Sequence, residues 1–154
     1  MGCRGEPEPV RYRGWMSCVF CSIVAGDADA IRVYEDDDYL AFLDIRPIVR
    51  GHTLVVPKQH SVDLTDTPSD TVAGLVRIGQ RIGQAARNSE LAADGNNIVI
   101  NDGKAAFQTV FHLHLHVAPR QDGDKLSFAK GLVVRKDPDR EGTGRILREA
   151  LARL

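Results

Sequence analysis

The sequence predicts an α+β fold with a mostly antiparallel five-stranded sheet. Three observations carry this: strand-like segments come in adjacent runs, one long amphipathic helix is inserted among them, and a second amphipathic helix closes the chain. The first two strands are Ile31–Tyr34 and Tyr39–Leu43, β-rich runs joined by the acidic turn Glu35–Asp38. Gly51–Val56 reads as a third strand, stopped by Pro57, and Asp44–Pro47 before it is a tight corner holding one carboxylate. Upstream, Ser22–Ala25 is a short apolar turn closed by Gly26-Asp27.

The long helix is expected from about Pro68 to Asn88. Thr67 is its cap, Pro68 its first residue and Asp70 sits in its first turn. Val72, Leu75, Val76, Gly79, Ile82 and Ala86 recur at helical spacing and form the buried stripe. Gly74, Gly79 and Gly83 each cost roughly 1 kcal/mol relative to Ala, which close packing on a sheet would offset. Asn97–Asn101 and Phe111–Val117 are the fourth and fifth strands, and Arg145–Leu154 is the closing helix, with Ile146, Leu147, Ala150, Leu151 and Leu154 on one side.

With 154 residues, 43% of them hydrophobic and 27% charged, the chain fits one ordinary globular domain. Residues 16–154 are read as that domain and 1–15, polar and rich in Gly, Pro and Arg, as a flexible tail, with Met16 an alternative start. Twenty basic and 21 acidic side chains give a net charge of −1. That balance provides no basic field for long nucleic acid, so a bound anion must be held locally. No apolar run is long enough for a bilayer and no secretory h-region precedes Met16, so a cytoplasmic protein without membrane contact is expected. Three cysteines are too few for a disulfide framework: Cys18 and Cys21 form a Cys-x-x-Cys pair, and Cys3 is an incidental thiol.

The chemistry concentrates in His112-Leu113-His114-Leu115-His116. On a strand, alternate residues share a face, so three imidazoles line one side while Leu113, Leu115 and Val117 point into the core. Such a row can coordinate a catalytic metal, or one imidazole can attack phosphorus while the others orient it and bind oxygens.

His112-Leu113-His114-Leu115-His116-Val117-Ala118 matches at every position the motif of the histidine-triad superfamily, and the chain resembles that family from about Cys18 to Arg120. Leu40–Pro47, Gly51–His60, Asn101 and Gln108–Phe111 resemble its other segments in the family's order. The resemblance implies that His114 attacks the α-phosphorus of a purine nucleotide, its other ring nitrogen held by a backbone carbonyl. His116 then bonds the phosphate or leaving group and helps protonate it, His52 is a further active-site histidine, and water resolves the nucleotidyl-histidine.

Asp44 corresponds to the acid that accepts from ribose hydroxyls, although a turn-forming Asp before Pro47 is an open alternative. Ile45, with Phe42 and Ile23, is placed to sandwich the base or to be ordinary core. Gln108 and Thr109 are expected to donate to phosphate oxygens, and Asn101 either contacts the phosphate or turns the chain. Many relatives carry Gly where this chain has Phe107, which reshapes the phosphate loop or narrows the leaving-group site.

In some bacterial-type relatives a Cys-x-x-Cys pair joins two histidines at a closed zinc site, which maps to Cys18, Cys21, His60 and His112. A redox pair would need a βαβ context that is missing, and two unrelated cysteines are the other alternative. Such a zinc is structural. The family implies a homodimer paired through the long helix and a sheet strand. The implied activity is hydrolysis of nucleoside phosphoramidates or dinucleoside polyphosphates, releasing a nucleoside monophosphate. Nucleotidyl transfer, a nucleotide-binding adaptor, and a metallohydrolase with zinc on all three triad histidines are the alternatives.

Overall fold

The computed structural model describes residues 18–154; the tail assigned to 1–15 and its boundary at Met16 lie outside them. Five strands, β1 (Arg32–Glu35), β2 (Tyr39–Leu43), β3 (Thr53–Pro57), β4 (Gly95–Ile100) and β5 (Leu115–Arg120), form one antiparallel sheet in the order β1-β2-β3-β5-β4. The helices are α1 (Val19–Ala25), α2 (Ser69–Arg87), α3 (Lys125–Val134) and α4 (Arg140–Leu151).

Strand alternation divides the interior into two layers. Ala41, Leu43, Val55, Leu115 and Val117 face α2 and α4, packing against Leu75, Ile78, Ile82, Ile146 and Leu147. Leu40, Phe42, Leu54 and Val56 face the opposite side, where Phe20 and Ile23 of α1 cover them. His116 is opposite Leu54 in register, which puts it on the α1 side, away from the long helix. Gly79 is needed where α2 crosses β5, because a Cβ there would lie 2.8 Å from the Leu115 side chain. At Gly74 the space is taken by the Tyr39 ring, whose hydroxyl donates to Thr71 O at 3.1 Å.

Several elements differ from the sequence expectations. The apolar Ser22–Ala25 turn is part of α1, which Gly26 closes in the left-handed region with φ 84°. Thr67 does not cap α2: its hydroxyl donates to Asp63 O at 2.6 Å and is paired with the Ser61 hydroxyl at 2.8 Å, and Pro68 takes the cap position. Val76 lies off the buried stripe, which runs through Leu75, Ile78, Ile82, Ala85 and Ala86. The last helix starts earlier, at Arg140, where Asp139 caps it by accepting from Gly142 N, and Leu154 lies beyond its end and exposed. α3 was not foreseen.

The largest difference concerns the histidines. β5 begins at Leu115, so only His116 of the three lies in a strand. Pairing toward His112 would run into Pro57, which has no N–H to give, and Leu113 N donates instead to Ser61 O at 2.8 Å. Leu113, Leu115 and Val117 are nevertheless all in the core. The alternation of faces persists through a bent segment.

Candidate functional site

Two histidine-containing sites arise from the one motif. In the first, α1 sets Cys18 and Cys21 three residues apart on one side, and Cys18 Sγ accepts from Cys21 N. The turn after β3 brings His60, and His112 Nε2–H donates to Pro57 O at 2.8 Å. A carbonyl only accepts, so this bond leaves the lone pair of His112 on Nδ1. That lone pair lies 3.5 Å from both sulfurs and 3.2 Å from His60 Nδ1, which is 3.2 Å from Cys21 Sγ.

Bonds of about 2.3 Å to sulfur and about 2.0 Å to nitrogen separate neighbouring ligands of a tetrahedral zinc by roughly 3.3–3.8 Å. The four atoms fit that ion, and the donor set leaves no open position. Burial and the neighbouring Cys18 push the Cys21 thiol up to about 11, so binding must displace its proton.

The second site is a hydrogen-bond chain with a direction. Ile48 N–H donates to His52 Nδ1 at 3.2 Å, which puts the proton of His52 on Nε2. That proton bridges to His116 Nδ1 at 2.9 Å. The proton of His116 is then on Nε2, which is buried without a hydrogen-bond partner among the described residues. His114 Nδ1–H donates to His112 O at 2.7 Å, leaving the Nε2 lone pair available.

Asp44, His52 and His116 make a second close cluster, but the hydrogen-bond chain already uses the imidazole lone pairs a metal would need. His112 faces the cysteines while His116 faces His52, so the triad does not converge on one ion.

Burial is the leading cause that holds His52, His112, His114 and His116 below the ordinary histidine value of 6.5, His112 at about 4 and His116 at about 3. Each is therefore neutral at pH 7. Unfolding restores normal proton affinity, so the unfolded chain binds more protons as pH falls below 6.5. The melting temperature of metal-free protein is expected to drop from pH 7 toward pH 4, with proton uptake on unfolding. A flat profile across that window would contradict the burial account.

His52, His114 and His116 open onto a cavity of about 1290 Å³. Asp44, Ile45, Asn101 and Thr109 are on its wall, as are Phe42 and Ile23. Ile45 is 77% exposed there and is not core, whereas Phe42 and Ile23 are buried. Asp44 has the turn-forming role: Oδ1 accepts from Arg46 N at 2.8 Å, shaping the corner, while Oδ2 lies 3.5 Å from His52 Nδ1 on the cavity wall.

Gln108 is turned away from this cavity. Its Oε1 accepts from Gly103 N at 2.8 Å and its Nε2 donates to Val62 O and Val110 O, so the amide braces the loop. Phe107 has φ 67°, a left-handed backbone natural for glycine, and its ring is 83% exposed on the cavity wall.

Sequence reading missed the wall contributed by Phe128, Leu132, Arg135, Arg140 and Glu141. No periodicity or motif marks Phe128 and Leu132, since α3 buries none of its side chains, and Arg140 and Glu141 precede the apolar stripe by which the last helix is read.

A HIT domain model matches residues 25–123. A HIT-like protein of Mycobacterium tuberculosis is 69% identical over 137 residues, 89% of this chain and 94% of that protein. A Zn-bound histidine triad family protein from Mycobacterium smegmatis superposes with a TM-score of 0.84 at 69% identity, covering 91% of this chain and 96% of that one. An adenylylsulfatase of Arabidopsis thaliana is 37% identical over 115 residues, 75% of this chain and 58% of that protein. The divided histidines, the four-ligand cluster and these likenesses agree: the chain belongs to the HIT, or histidine-triad, family.

Proposed function

We propose that the protein hydrolyses nucleotides at the α-phosphorus through a nucleotidyl-histidine on His114, releasing a purine nucleoside monophosphate. The observation that carries this reading is the bond from His114 Nδ1–H to His112 O, which leaves a neutral Nε2 lone pair on a ring whose centroid is 4.9 Å from that of His116, where Nε2–H has no hydrogen-bond partner among the described residues. The Nε2 pair forms the N–P bond, and the bond to the leaving group breaks with its electrons departing on that group. His116 Nε2–H donates to the developing charge, an arrangement fixed in advance by His52. Water then attacks phosphorus, the P–N pair returns to Nε2, and the water's proton leaves to solvent or phosphate.

Asp44 would take the ribose hydroxyls, Ile45 would cover the base, and Thr109 and Asn101 would donate to phosphate oxygens. Gln108 keeps a supporting role under the same loop. Zinc at Cys18, Cys21, His60 and His112 would be structural, holding α1 to the segment before β5. A homodimer through β4 and α2 is supported by the edge position of β4 among the described strands, with exposed Ile98 and Val99, and by exposed Val76 on α2. The adenylylsulfatase relative supports hydrolysis within the family.

The test is to quench turnover of adenosine phosphoramidate and diadenosine tetraphosphate without acid and to digest the protein. A base-stable, acid-labile nucleotidyl group on the peptide containing His114 is the expected result. Tight nucleotide binding with no adduct and no product would replace this reading with a nucleotide-binding adaptor.

A further inference from the structure

α3 has none of its side chains buried, yet its Phe128 and Leu132 line the cavity. It is seated by a backbone approach: a Cβ at Gly131 would lie on the carbonyl oxygen of Ile48, the residue whose N–H orients His52. A helix anchored there brings its last turn toward the histidines. Arg135 ends that turn in the left-handed region, φ 42°, a backbone that non-glycine residues adopt only when something holds them.

Its N–H donates to Gly131 O and its Nε–H to Leu132 O at 3.1 Å, which leaves the two terminal amino groups to point elsewhere. Arg135 is on the cavity wall, and its charge acts on His52 and His116 together, helping to keep both neutral. Among the described residues no carboxylate pairs with it, unlike Arg32 and Arg120, which have Glu35 and Asp124. Arg140, another cation of the wall, is turned toward Leu43 O near Asp44, the end assigned to ribose.

A guanidinium with no carboxylate partner among the described residues, on the wall of the cavity that His52 and His116 line, is suited to an oxyanion beyond the α-phosphate. We propose that Arg135 binds the leaving group, and that the site favours nucleotides whose leaving group is an oxyanion, polyphosphate or sulfate, over those that release a neutral amine. This rests on the assignment of the cavity to a nucleotide held at its α-phosphorus.

Binding and turnover test it separately, using the full chain with Arg135→Gln and Arg135→Lys. Calorimetry should find ATP bound more tightly than AMP by the wild type, and Arg135→Gln should reduce that preference about tenfold or more, with Arg135→Lys retaining part of it. In turnover, the ratio of kcat/KM for diadenosine tetraphosphate to that for adenosine phosphoramidate should fall about tenfold in Arg135→Gln.

Adenosine phosphosulfate separates the two sources of charge. A matching fall places Arg135 at the oxyanion next to the α-phosphate, and a fall for the tetraphosphate alone places it on more distant phosphates. An ATP-to-AMP preference absent from the wild type or unchanged in the variant, or equal losses on all substrates, would overturn the proposal. If the wild type turns over none of them, the hydrolase reading fails, and the ATP-to-AMP ratio still decides the role of Arg135.

Discussion

His114→Asn is expected to lower turnover by about four orders of magnitude or more, because the covalent path is removed and not merely one stabilising contact. Asparagine keeps an N–H that can still reach His112 O, the partner of Nδ1 at 2.7 Å in the native protein. The buried donor and acceptor therefore stay paired, and the fold should survive with little change in melting temperature. Nucleotide affinity should change by only a few-fold, since Asp44, Ile45 and Thr109 line the same cavity independently of it. Product formation is read by chromatography and affinity by calorimetry. A variant retaining more than about one per cent of wild-type turnover would sink the covalent mechanism.

Loss of the metal should have the largest effect on stability. A ligand that binds only the folded state contributes about 4 kcal/mol when its free concentration is a thousand times Kd. In a domain of this size that corresponds to roughly 10 °C or more in melting temperature. Replacing Cys18 and Cys21 together by Ser should abolish zinc content and lower the melting temperature by about that amount. The loss should be felt first where α1 covers Leu40, Phe42, Leu54 and Val56, since α1 carries both thiols. Some turnover should remain, because neither sulfur touches His114. Unchanged zinc by elemental analysis, or an unchanged melting curve, would remove the structural zinc.

The sheet and the long helix were legible because they follow simple periods. Leu40 and Phe42 face one way, Ala41 and Leu43 the other, and α2 repeats its apolar stripe at helical spacing. The triad was legible for a different reason, a dense pattern of one chemically special residue. What that pattern could not reveal is that its members separate, His112 toward the cysteines and His116 toward His52. The separation depends on where β3 ends, and so on Pro57 and Ser61, residues with no chemistry of their own in the motif.

Gln108 was misleading because a buried amide and a phosphate-binding amide look alike until their partners are known. α3 was illegible for the opposite reason. Exposed Leu126, Leu132 and Val133 give it no amphipathic stripe, and a single glycine against Ile48 O seats it.

The acceptor that fixes the proton of His114 is a peptide carbonyl, that of His112. No codon change can delete a carbonyl, so this part of the proposed apparatus is sheltered from point mutation in a way that an aspartate in the same role would not be. Substitutions at His112 alter the metal ligand and leave the oxygen in place, provided the chain keeps its path. Selection can therefore act on this acceptor only indirectly, through the residues that bend the chain between Ser61 and Leu115. A lineage could exchange the four-residue cluster for other packing and still inherit a His114 whose Nε2 lone pair is left available.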